Sequence, residues 1–267
     1  MGVTLGKKNL GDKSNWFEQL DRIKDSTTRN YFSVLPDEES LTGHFSEGFV
    51  INKPKGRVGG DGYWLHKHDE SVYIALFTCI GDGHLASMMI RIYMSALKKM
   101  VDSYSIDFPG SILQFLHQEV LARFRNKNNI LLNTNANVGI VKLNTKSKAM
   151  DFAGANMNLL QITNREVRIV EGDAHQVGES KESGLSYSSI SLKNADQSNF
   201  YLTSSGIFNL IGGPQYKKIG PKQLGDFFFK NKEFKMSQQK IITEDYLTDW
   251  TGVNQQNDDI MIIGFRA

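Results

Sequence analysis

Hydrophobic and polar positions alternate with two different periods along this chain, and the switches between them mark its elements. Val72-Tyr-Ile-Ala-Leu-Phe77 is apolar on both faces, so it reads as a strand covered on both sides. A polar, glycine-rich turn follows from Thr78 to His84, and then a stripe of Leu85, Met88, Met89, Ile92, Ala96 and Met100 at three- and four-residue spacing. That spacing predicts a long amphipathic helix whose methionines belong to the core. A second helix is expected from about Ser111, after Pro109-Gly110, with Leu113, Leu116, Val120 and Phe124 on one side. The basic residues Arg123, Arg125 and Lys127 suit its C-terminal end, where the helix dipole favours positive charge.

Upstream, residues 1–13 read as a loose tail. Ser14 can cap a linker helix spanning 14–36, with Trp16, Leu20 and Ile23 on its apolar side and Pro36 as its stop. Phe49-Val-Ile51 and the segment from Val58 to Trp64 read as strands. Downstream, short β-rich runs appear at 138–141, 150–152 and 159–162. Thr163-Asn-Arg-Glu166 reads as a hairpin turn into Val167-Arg-Ile-Val170. Residues 179–198 suggest a surface loop plus an exposed strand. Phe200-Tyr-Leu-Thr203 is a strand ending at Ser204-Ser205-Gly206. Helices are expected over Pro221–Lys230 and about Ser237–Trp250, before a buried final strand opened by Asp258-Asp259. Helix pairs set between antiparallel-looking strands predict an α+β sandwich of layers, not a doubly wound parallel sheet.

Composition narrows the function classes. The chain has 267 residues, 40% hydrophobic and 22% charged, which is ordinary for a globular domain. With 31 basic against 29 acidic side chains, net charge is +2. That argues against a broad nucleic-acid surface and gives no electrostatic reason for membrane binding. No run approaches the roughly 20 apolar residues of a membrane helix, and the first ten residues lack the apolar core of a signal peptide. Cys79 is the single cysteine, so a reducing, cytoplasmic setting is expected.

Candidate chemistry is sparse. Gly81-Asp-Gly83 lacks the further glycines and the lysine of a phosphate loop. Cys79 reads as a small buried side chain with no base beside it. His66, His68 and His84 show no shared ligand spacing. Asp61 between glycines suits a turn aspartate bonding backbone amides. The pair Asp258 and Asp259 suits either a solvated strand end or a weak metal site.

Several landmarks nevertheless fall in a familiar order. Arg29-Asn-Tyr-Phe-Ser-Val-Leu-Pro36, Lys53-Pro-Lys-Gly-Arg-Val-Gly-Gly-Asp-Gly-Tyr-Trp64 and Phe152-Ala-Gly-Ala-Asn156 are followed by Ile211-Gly-Gly213, Trp250-Thr-Gly252 and Gln256-Asn-Asp-Asp-Ile260. From about residue 20 onward the chain resembles the SpoIIE-like branch of the PPM-type metal-dependent Ser/Thr protein phosphatases. The resemblance implies one domain over 37–267, built as a four-layer α-β-β-α sandwich of two antiparallel sheets flanked by helix pairs. It also implies a two-metal site between the sheets.

The departures from that pattern bear on function. The family's bridging aspartate stands where this chain has Thr78, its neighbouring histidine where this chain has Asp82, and a second aspartate where this chain has Ser205. Asp61, Asp258 and Asp259 remain. Two dications held about 3.5–4 Å apart need carboxylates to offset their repulsion, and a neutral hydroxyl cannot bridge them as a carboxylate does. The leading expectation is therefore a signalling pseudophosphatase with no cofactor. It would bind a partner such as a STAS-domain or other serine-phosphorylated switch protein. The alternative is an active phosphatase with Mn²⁺ or Mg²⁺ held in a rearranged site by Asp61, Asp82, Asp258 and Asp259. A third expectation is a structural module that forms a homodimer through the N-terminal helix.

Overall fold

The computed structural model describes residues 26, 28–81, 83–124, 134–179 and 185–267, with the side chains of 83 and 84 left aside. The expected tail, most of the linker helix with its dimer seam, and Asp82 lie outside the described residues.

Two five-stranded antiparallel sheets form the centre. One has the order β2 (Asp61–His68), β3 (Ser71–Cys79), β4 (Ala136–Asn144), β5 (Met150–Ala155) and β8 (Ile190–Leu192). The other has the order β1 (Glu47–Lys53), β12 (Ile260–Arg266), β9 (Asn199–Thr203), β6 (Leu159–Ile162) and β7 (Val167–Val170). A two-residue ribbon, β10 (Ile211–Gly212) with β11 (Lys217–Lys218), stands apart.

The period-two pattern explains the layering. On β3, Val72, Ile74 and Leu76 join Tyr63 of β2 in the layer between the sheets, where they meet Phe200, Leu202, Met261 and Ile263. Tyr73, Ala75 and Phe77 point the other way, with Trp64, into a core closed by two helices. These are α2 (Gly83–Asp102) and α3 (Pro109–Phe124), preceded by the short α1 (Glu38–Thr42). The second sheet buries Phe49, Tyr201 and Ile262 against α4 (Pro221–Lys230) and α5 (Met236–Thr251), through Leu224, Phe228 and Leu247. Each sheet therefore has one face on its partner sheet and one on a helix pair, which is why its strands read as near-continuous apolar runs. The layered α+β sandwich is the one expected.

The local differences are small. The N-terminal helical residues end at Phe32, four positions before Pro36, and Tyr31 at that end is buried in the core. The Tyr31 hydroxyl donates to the Asp61 carbonyl at 2.8 Å. Pattern reading missed α1 and the β10–β11 ribbon, because elements this short contain no full hydrophobic period.

Candidate functional site

Antiparallel register brings the first candidates together. Asp61 opens β2 directly opposite Thr78 on β3, and Thr78 lies opposite Asn137 on β4. All three share the parity of Tyr63, Leu76 and Val141, which face the other sheet. The opposing side is supplied by Ser204-Ser205-Gly206 after β9 and Asp258-Asp259 before β12. Gly206 packs so closely there that a Cβ would lie 1.8 Å from the Asp259 carbonyl oxygen. A glycine is therefore required for these two segments to touch. Ser205 opens the 3₁₀ turn Ser205–Asn209 and lines a cleft of about 420 Å³ with Asn137, Asn156, Asp173, Thr203 and Phe208.

The three carboxylates differ sharply in their surroundings. Asp61 is 1% exposed, and neither of its oxygens has a hydrogen-bond partner among the described residues. The Ser204 and Thr78 hydroxyls lie near enough to favour its charge, yet neither makes a bond of normal geometry. Burial dominates, with Asp259 and Asp258 adding like-charge repulsion, and pushes the Asp61 pKa up to about 8. At neutral pH the group is mainly a protonated acid. The Thr78 hydroxyl is likewise buried without a partner among the described residues.

Asp259 is the opposite case. One oxygen accepts the Lys55 amide at 2.7 Å and the other the Gly60 amide at 2.6 Å. It ties the β1–β2 loop to the start of β12, rather than projecting into water as a solvated strand end would. Asp258 accepts the Asp259 amide at 2.9 Å and the Asn209 side-chain amide at 3.3 Å. Asn209 in turn accepts Lys218 at 3.0 Å. The turn reading of Asp61 is corrected as well. Amides of the 53–60 loop go to Asp259, and Asp61 accepts none of them.

A pair of divalent ions does not suit this donor set. The unpartnered Asp61 oxygens and Thr78 hydroxyl form a polar recess fit for a proton or one small cation. Among the described residues, Asp61, Asp258 and Asp259 set three carboxylates against the four positive charges of two dications, and Asp258 and Asp259 already accept backbone amides. Thr78, where the resemblance places a carboxylate, is an alcohol. Cys79, buried beside the recess, has its thiol pKa raised by burial and by the Asp61 charge, so it is no nucleophile at neutral pH.

Sequence reasoning missed three residues. Ser204 is fully buried and accepts the Met261 amide at 2.9 Å. Asn137 accepts the side-chain amides of Asn156 at 2.8 Å and Gln176 at 2.7 Å. Asn209 links Asp258 to Lys218. One signal was available, since Asn156 has φ of +51°, a backbone that asparagine tolerates, in the Ala-Gly-Ala-Asn turn.

Solved structures are similar to this chain over most of its length. The SiaA PP2C domain of Pseudomonas aeruginosa superposes with a TM-score of 0.83 at 24% identity, covering 94% of this chain and 98% of that one. The chain has the PPM phosphatase fold. A SpoIIE phosphatase domain with a regulatory fragment from Bacillus subtilis matches with a TM-score of 0.65 at 15% identity, over 83% of this chain and 63% of that one. RsbX in complex with magnesium matches with a TM-score of 0.57 at 17% identity, over 82% and 94%. No protein-family model matches the chain, and no curated protein matches it by sequence.

Within the PPM fold the sequence landmarks prove to be contacts with one another. The Gly213 amide donates to the Trp250 carbonyl at 2.8 Å, and a Cβ on Gly212 would lie 1.8 Å from that oxygen. Ile211-Gly-Gly213 and Trp250-Thr-Gly252 are thus two halves of one close approach. The 53–60 loop and Asp259 are another.

Proposed function

We propose that this chain is a pseudophosphatase of the SpoIIE-like kind, which binds a serine-phosphorylated switch protein, such as a STAS-domain antagonist, without hydrolysing it efficiently. One observation carries the reading: the buried Asp61 carboxylate, with its pKa at about 8, lies opposite the alcohol of Thr78 and near that of Ser204, while Thr78 and Ser205 stand where the resemblance calls for anions. A hydrolytic water needs a cation pair to lower its pKa, and alcohols at Thr78 and Ser205 bring no negative charge to hold one. Residues for holding a phosphorylated partner are nevertheless present. Lys55, Arg57, Lys217 and Lys218 are exposed on the two segments flanking Asp258 and Asp259. A fold neighbour comprising RsbU and RsbW domains, from Mycobacterium tuberculosis, and another from the bacterial stressosome support a regulatory-protein partner. No described helix is long and apolar enough to cross a membrane, and a cytoplasmic place is part of this reading.

The test is calorimetric titration with Mn²⁺, paired with a phosphoprotein hydrolysis assay. The native chain should take up no pair of Mn²⁺ ions at the inter-sheet recess and release no phosphate above background. Thr78→Asp combined with Ser205→Asp should gain Mn²⁺ binding. Mn²⁺-stimulated hydrolysis by the native chain, abolished in Asp61→Asn, would overturn the proposal in favour of an active phosphatase with a rearranged site.

A further inference from the structure

At the far end of β2 from Asp61, three metal-binding side chains converge. His66 and His68 are two apart on a strand, so they project from the same face, the one covered by α2. A spacing of two gives no signal on a helix, yet on this strand it aligns both rings beside the last residue of α2, Asp102. His66 Nε2 lies 2.6 Å and His68 Nδ1 3.2 Å from the same oxygen, Asp102 Oδ1. The three donor atoms fall within 4.8 Å of one another.

We propose that His66, His68 and Asp102 form a binding site for one late first-row divalent cation of the zinc class, separate from the inter-sheet recess. Two imidazoles and one carboxylate are a donor set such ions favour, with a fourth position left for water. Zinc–ligand bonds of about 2.0–2.1 Å set tetrahedral donors about 3.3 Å apart. The His68–Asp102 separation already meets that value, His66 reaches it on Asp102 by moving less than about 1 Å, and the two imidazole donors lie within 4.8 Å of each other. The surroundings hold the donors in place. The His66 ring stacks on Trp64 with centroids 5.0 Å apart. Lys98 lies 2.5 Å from the other Asp102 oxygen. The side chains of His66, His68 and Asp102 are 17%, 34% and 29% exposed, so an ion has an open approach. Since β2 is an edge strand of its sheet, a bound ion would pin that edge to the end of α2.

The experiment titrates Co²⁺, then Zn²⁺, into the full chain after chelator treatment, reading the visible absorption of tetrahedral Co²⁺ and the melting temperature. One equivalent of Co²⁺ should give the absorption, Zn²⁺ should displace it, and the melting temperature should rise with Zn²⁺. His66→Gln combined with His68→Gln should lose all three responses while melting normally without metal. Asp61→Asn should leave binding unchanged. Absence of stoichiometric binding by the native chain, its persistence in the double histidine variant, or its loss in Asp61→Asn would each overturn the proposal.

Discussion

Strand β2 has an acid at each end, and the two behave in opposite ways. At its start, Asp61 is sealed between the sheets with no partner among the described residues, and its pKa rises to about 8. Beside its end, Asp102 sits on the surface among Lys98, His66 and His68, and its pKa falls to about 2, mainly through the Lys98 hydrogen bond and then that of His66. Burial without a cation holds the proton on, whereas cations at hydrogen-bond distance drive it off. Among the described residues, no cationic side chain reaches hydrogen-bond distance of Asp61. The surface cluster has an anion already prepared for a cation.

The largest expected effect tests the interior half of that contrast. A carboxyl whose folded pKa exceeds its unfolded value of 3.8 binds a proton more tightly in the native state. Its contribution to stability is therefore full below about pH 4, falls as pH rises toward 8 and is flat above that. At about 1.4 kcal/mol per pH unit, the cost reaches up to about 4 kcal/mol at pH 7. Asp61→Asn, an isostere of the protonated acid, should thus be more stable than the native chain by up to that amount at pH 7 and equal to it at pH 4. Urea denaturation across this range measures the difference. A pH-independent difference would mean that the carboxylate is ionised against a cation, and the contrast between the two ends would vanish.

Next in size comes the junction that frames the recess. Gly206→Ala would place a methyl group 1.8 Å from the Asp259 carbonyl oxygen, so the backbone on one side must move. Overpacking of this kind costs about 3 kcal/mol. The same denaturation experiment should show that loss at every pH, because nothing titrates in the clash. If the loss instead tracked pH, the substitution would be acting through Asp61, and the junction would be softer than its geometry implies.

What could be read from the chain before its fold follows the range of the forces involved. The strand at Val72–Phe77, the hairpin at Thr163–Glu166 and the helix at Pro221–Lys230 were legible because periodicity and turn chemistry act over a few residues. The resemblance supplied Thr78 and Ser205 as altered positions, and the structure brings both segments to the inter-sheet cleft. The assignment of Asp259 to the amides of Lys55 and Gly60 was not legible, since those partners lie 204 and 199 positions away. Nor was the isolation of Asp61, which depends on which neighbour takes the loop amides. The pairing of His66 and His68 with Asp102 was hidden for a related reason. It needs a strand's period on one side and the point where a helix of another segment ends on the other.

The smallest expected effect tests the surface half. Asp102 has a depressed pKa, so its contribution is present above about pH 4 and is lost as pH falls toward 2. Because the side chain is 29% exposed and Lys98 is 61% exposed, solvent screening keeps the Lys98 pair at or below about 1 kcal/mol. Lys98→Ala should therefore lower stability by less than about 1 kcal/mol at pH 7 and low salt, and by less again in high salt. The same variant also separates the two ways of using Asp102. If the cluster is only an ion-pair network, removing Lys98 weakens it with or without zinc. If the cluster holds a dication, Lys98 is a nearby like charge as well as a support for the carboxylate. Its removal should then cost stability in the metal-free chain while leaving a clear zinc-dependent rise in melting temperature. Paired melting curves of Lys98→Ala, with chelator and with zinc, give that distinction in one measurement.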